Sequence, residues 1–289
     1  MKDFMTSGHY IQQKLQAWAC RQGIRLQGSA GERGAPNYTL SVEKNIFGGE
    51  LLASVTADFQ AGRGGELDGD IPTMSALHSS AALAVNLFQY WLAKADLAFL
   101  ANLLEIPSRG IATAKFEDKF PVCANPQGNG LKEPPHLDFA FRYTDTSCIG
   151  IECKLFEPYG RIEHKTLSQA YLKLPDAWHD IPACRALAEQ LTTGPAGYHR
   201  LGPSQLLKHI LGLKFGTSAD KVRLLYLYND SIGDEAAEHR REIHQFQKAI
   251  SADPVRFTPI SVQEFILIAV SRARDSHKAY VDYLAERYL

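Results

Sequence analysis

The sequence predicts an α/β fold: a central mixed sheet of about four or five strands, flanked by helices and extended by helical additions. Three observations predict it. Apolar runs of strand length follow one another at 113–122, 137–143 and 149–156, the last two joined by the polar turn Arg142-Tyr143-Thr144-Asp145-Thr146-Ser147. A fourth run, Lys-Val-Arg-Leu-Leu-Tyr-Leu-Tyr at 221–228, has the composition of a fully buried strand and stands between helical stretches. A broad apolar stripe at helical spacing precedes the set, running from Leu77 through Ala81, Ala84, Val85, Phe88 and Trp91 to Ala95.

Taken in order, residues 9–27 predict a helix, with Ile11, Leu15 and Trp18 on one face. Residues 28–73 are glycine-rich, with a strand expected within 51–59 and a loop at 62–70 that fits neither a Walker nor an EF-hand pattern. One helix is expected over 75–104, ended by Pro107. After the strands at 113–156 the text turns helical through 174 and again from 183 to 191. A short helix follows at 203–213, then the strand at 221–228, a charged helix at 235–250 and a short strand at 257–260. One long helix is expected over 261–288. The expected division is an N-terminal helix and glycine-rich region, 1–74, packed on a domain spanning 75–289.

Composition narrows the class. The chain has 289 residues, 45% hydrophobic and 22% charged, ordinary values for a globular protein with a sizeable core. The formal net charge of -1 means that any contact with nucleic acid must come from a local basic surface. Five cysteines, at 20, 123, 148, 153 and 184, include no CxxC pair, which points to reduced thiols in the cytoplasm. Residues 1–10 lack a signal-peptide core, and the stretch 81–104 carries too many polar residues to span a membrane.

The hairpin carries the chemistry. Strand alternation sorts Leu137, Phe139, Phe141 and Tyr143, with Ile149, Ile151, Cys153 and Leu155, onto a core face. The opposite surface collects Glu117, Asp138, Glu152 and Lys154, with small Ala140 and Gly150 beside them to leave room for a ligand. Two carboxylates held together repel, and one tends to stay protonated; a divalent cation removes that penalty. Mg²⁺ takes one or two carboxylates plus waters and phosphate oxygens. Asp138 and Glu152, with the backbone carbonyl of Cys153, form the expected ligand set. Lys154 is placed to hold water or phosphate and to offset growing negative charge. Glu117 is placed to hold a second metal or orient a water.

A bare Glu-x-Lys is a weak signal, and the chain has three: 117–119, 152–154 and 163–165. Only the middle one lies in an apolar strand with an aspartate at hairpin distance upstream. A thiol nucleophile at Cys153 is disfavoured because that side chain faces the core. His209, on an apolar helix, reads as a packed residue. Arg240, Arg241 and Lys248, like Arg272, Arg274 and Lys278, suit either a solvated helix face or a DNA backbone contact. Tyr226 and Tyr228 read as packing residues.

On these residues the chain resembles the PD-(D/E)xK nuclease superfamily, the restriction-endonuclease-like fold. Its core is a helix, a three-stranded meander, a helix and a fourth strand, with the aspartate opening the second strand and Glu-x-Lys on the third. Leu137, rather than proline, precedes Asp138; the prolines stand at 134 and 135. The segment 79–88, followed by Lys115-Phe116-Glu117 and Pro-Pro-x-Leu-Asp, resembles a poorly characterised bacterial group within that superfamily. The resemblance implies that Glu117 belongs to the site and that a glutamine on a later helix assists, Gln205 ahead of Gln169. It implies a Mg²⁺-dependent deoxyribonuclease, with Mn²⁺ as a substitute, DNA as partner, a homodimer as a compatible assembly, and a role in restriction, defence or repair. Two other classes remain: a catalytically silent nucleic-acid or protein interaction module on the same fold, and a metal-dependent hydrolase of a small phosphate ester.

Overall fold

The computed structural model describes residues 6–30, 34–62, 65–125, 131, 133–160 and 166–289. Helix α1 (Ser7–Arg21) leads into two short strands, β1 (Leu26–Gln27) and β2 (Tyr38–Thr39), paired with each other, and then α2 (Ala53–Ala61). The core follows: α3 (Ser80–Ala93), α4 (Leu97–Leu103), β3 (Ile111–Lys119), β4 (His136–Tyr143) and β5 (Cys148–Lys154). Next come α5 (Pro182–Leu191), α6 (Pro203–Lys214), β6 (Val222–Tyr228), α7 (Asp234–Ile250), β7 (Arg256–Ser261), α8 (Val262–Arg272) and α9 (Lys278–Tyr288).

The five-stranded sheet runs β3-β4-β5-β6-β7. Its first three strands form an antiparallel meander, and β5, β6 and β7 are parallel, so the sheet is mixed. The register sets Phe139 opposite Ile151, Ala140 opposite Gly150, and Glu152 opposite Tyr226.

Both faces of this sheet are covered. One packs Phe139, Phe141, Ile151 and Cys153 against α3, α8 and α9, with Phe88 stacked on Phe139 at 4.7 Å between ring centroids. The other packs Ala140, Leu224 and Tyr226 against α5, α6 and α7. The expectation of a single core face is therefore corrected. Parallel strands need a crossover helix, and crossovers place helices on both faces. Leu137 is also reassigned. Opposite this stretch Glu117 sits at φ +46°, which breaks the regular pleat of β3, and Leu137 packs in the second cluster. A Cβ on Gly150 would fall 2.3 Å from Leu137 and 3.1 Å from Leu213, so the room expected there is filled by side chains.

Four expectations of local structure change as well. Residues 51–59 hold a helix, not a strand: Val55 and Phe59 are its buried pair at i,i+4 spacing. The long helix over 75–104 is two, parted at Ala95 (φ +51°), after which Asp96 accepts from Phe99 N at 3.0 Å and caps α4. The long closing helix is parted by a 3₁₀ turn at Asp275–His277. Described residues between 157 and 178 form 3₁₀ turns and irregular chain rather than a helix, and the third Glu-x-Lys, at 163–165, lies outside the described residues. Among the described residues no helix is long and apolar enough to cross a membrane.

Candidate active site

Asp138 and the Glu152–Lys154 stretch meet where β4 and β5 part. Cα pairing between these strands runs from Arg142↔Cys148 to Phe139↔Ile151. One residue further on, the Asp138 carboxylate takes the place of a ladder acceptor, and Oδ2 accepts from Cys153 N at 2.6 Å. Glu152 and Lys154 are two apart on β5 and project together: Lys154 Nζ lies 2.6 Å from Glu152 Oε1. Glu152 is only 2% exposed, and its second oxygen, Oε2, lies 3.0 Å from His209 Nε2 on α6.

These groups set one another's charge. Burial pushes the Asp138 carboxyl well above the usual range, and the neighbouring charge of Glu152 adds to it, with Glu117 contributing and Lys154 opposing. Burial also works to raise Glu152, but Lys154 and His209 outweigh it and hold that carboxyl down at about 2. Burial works to lower Lys154, yet Glu152, Glu157 and Asp138 keep its ammonium charged well above its ordinary value. The site thus holds one firmly ionised carboxylate beside another that resists ionisation. Cys153 is buried, and burial pushes its thiol up, which disfavours the thiolate a nucleophile needs.

The cleft around these residues has a volume of 650 Å³. Glu117 lines it, with Oε2 3.4 Å from His136 Nδ1, and holds a left-handed backbone that a non-glycine residue rarely adopts. Gln205 lines it too. Gln169 does not; it is exposed on a turn. Sequence reasoning missed two lining residues. His209 carries a buried Nδ1 with no protein partner, and Glu66 carries a buried, unpartnered Oε2, its carboxyl pushed up by burial and by Glu117. For His209 a signal existed: Gln205, Lys208 and His209 stand at i, i+3 and i+4, one face of α6, and all three line the cleft. Glu66 lies in a loop whose folding back over β3 no local pattern announces.

Among the described residues no cluster of three or more His, Cys, Asp or Glu side chains is gathered as a metal cage. Asp138 and Glu152 offer two hard carboxylates to the cleft. This suits an ion that keeps much of its water, and the resistance of Asp138 to ionising beside Glu152 is a cost that a cation would relieve.

The mixed five-stranded sheet, with the acids at the fork of its meander and helices on both faces, is consistent with a restriction-endonuclease-like core. The chain belongs to the family described as Restriction Endonuclease associating with ARP, which matches residues 12–289. No curated protein and no solved structure matches the chain.

Proposed function

We propose that the protein is a Mg²⁺-dependent endonuclease that hydrolyses DNA phosphodiester bonds, with Mn²⁺ able to substitute. The observation that carries this reading is the convergence of Asp138, Glu152 and Lys154 in one cleft, where burial raises the Asp138 carboxyl while Lys154 and His209 hold Glu152 ionised. Asp138 and Glu152, with the Cys153 carbonyl, would hold the ion. When bound, it supplies positive charge to the phosphoryl oxygens and lowers the pKa of a nearby water. The Cys153 N–H fixes the Asp138 carboxylate in place. Lys154, kept charged, stabilises negative charge as it builds on the phosphate. His209 holds the far oxygen of Glu152, and Glu117 with His136 orients water at the cleft wall.

A silent binding module has one observation in its favour: both Glu152 oxygens already face cationic or protonatable side chains of the protein itself. Incubation with plasmid and linear DNA in Mg²⁺, Mn²⁺ and EDTA separates the two. Cleavage in either metal but not in EDTA, lost in Lys154→Ala and Asp138→Ala, supports the nuclease. Cleavage that survives both substitutions refutes this site, and binding without cleavage under every condition favours the module.

A further inference from the structure

The acid-lined cleft does not end at Lys154. A second cavity, of 490 Å³, adjoins it, and Lys154, Glu157, Gln205 and Lys208 line both. The two differ in sign. The first is walled by Glu66, Glu117, Asp138 and Glu152. The second is walled by Lys154, Arg200 and Lys208, and among the described residues its one carboxylate is Glu157. That carboxylate is engaged by its own surroundings, since Oε2 accepts from Ser80 Oγ at 2.5 Å and from Phe156 N at 3.1 Å.

The basic wall is built rather than incidental. Buried Glu242 on α7 accepts the backbone N–H groups of His199, Arg200 and Leu201 at 2.7, 2.8 and 2.7 Å, which pins the loop that carries Arg200. Glu238, one turn earlier on α7, accepts from Arg200 Nε at 3.0 Å and fixes the guanidinium. Lys208 stands on α6 with its ammonium 5.5 Å from the Tyr171 ring centroid.

We propose that this second arm seats the backbone phosphates flanking the reacting one, with Lys154 at the junction of the two arms. The inference rests on the nuclease reading and deepens it. A polyanionic strand is repelled by the first arm until a cation is bound there, and the chain as a whole carries a net charge of -1. Affinity for the strand must therefore be local, and the Arg200–Lys208 wall is where a phosphate ester finds cations held in place next to the chemistry. Such contacts carry no sequence information; they set where along the strand the reacting bond comes to rest.

Neutralising one phosphate contact on duplex DNA removes about 0.9 from the slope of log affinity against log salt. The test is fluorescence anisotropy of the full chain with a short fluorescein-labelled duplex, in Ca²⁺ and in EDTA, over a series of salt concentrations. Lys208→Ala is expected to reduce the slope by about 0.9, and Arg200→Ala by a similar amount. Lys94→Ala, on an exposed helix end far along the chain, is expected to leave it unchanged. Thermal melts followed by circular dichroism establish that each variant is folded. Wild-type protein that binds with a slope unaltered by Lys208→Ala and Arg200→Ala overturns the second arm while the nuclease reading stands. Wild-type protein that neither binds nor cuts DNA removes both.

Discussion

Glu242 and Glu152 are almost equally hidden from water, at 4% and 2% exposure, yet they do opposite things. Glu242 meets three backbone N–H groups of a single tight loop, so its charge is matched by donors that cannot leave without unfolding the loop. Glu152 meets two side chains, Lys154 and His209, and shares its surroundings with a second carboxyl that burial, reinforced by the Glu152 charge, keeps from ionising. A buried charge saturated by backbone is a structural clamp. A buried charge set against another of the same sign, and balanced only by side chains, is stored electrostatic tension that an incoming cation can release.

Removing each charge breaks the comparison most directly. Glu152→Gln is expected to lower DNA cleavage by at least about 10²-fold and to lower the urea midpoint in EDTA by less than Glu242→Ala does, because Lys154 loses its nearest carboxylate but keeps Asp138 and Glu157 close by. Glu242→Ala is expected to strand three donors and destabilise the fold by about 3–5 kcal/mol, read from the same urea titration. Equal stability losses in the two variants would erase the distinction.

A third buried group sharpens it. His239 is fully buried, with Nδ1 3.2 Å from Tyr159 Oη and Nε2 3.0 Å from Tyr226 Oη. Burial, helped by Arg200 and Arg240, holds its pKa down at about 3, against an ordinary 6.5. The folded state refuses a proton that the unfolded chain accepts, so His239 supports the fold above the unfolded pKa. That support is lost as pH falls through the window between the two values. Its loss is expected to cost about 3 kcal/mol by pH 4, and His239→Gln is expected to flatten that part of the stability profile. Asp138 works in the opposite sense. Its pKa is raised, so the proton favours the fold at low pH, and that favour disappears as pH rises from the ordinary aspartate range toward the folded value. Asp138→Asn, which keeps an oxygen for Cys153 N, is therefore expected to raise the melting temperature of the metal-free protein at neutral pH.

Much of this was legible in the residues. The meander, the buried strand β6 and the charged helix α7 announce themselves by periodicity. The Asp138 to Glu152 spacing follows from hairpin geometry. What escaped was whatever depends on tertiary neighbours. No pattern in β5 tells that α6 will cover its second face, so Gly150 read as open space when it is the seat of Leu137. His209 read as a core residue because its partner, Glu152, is distant in sequence. The break between α3 and α4 was readable from Asp96, a capping residue just before an apolar run, but the continuous stripe on either side masked it. The Val55–Phe59 pair of α2 is likewise visible in the sequence at i,i+4 spacing.

The left-handed backbone at Glu117 has a practical consequence for anyone selecting improved versions of this protein. At φ +46° a glycine would sit more comfortably, and the neighbouring strand would lose a carboxylate that helps crowd Asp138. A library ranked on heat resistance alone would thus drift toward Glu117→Gly and Asp138→Asn and would return hardier molecules emptied of their chemistry. If the proposed nuclease reading holds, ranking by thermal tolerance and by DNA turnover is expected to pull these two positions in opposite directions.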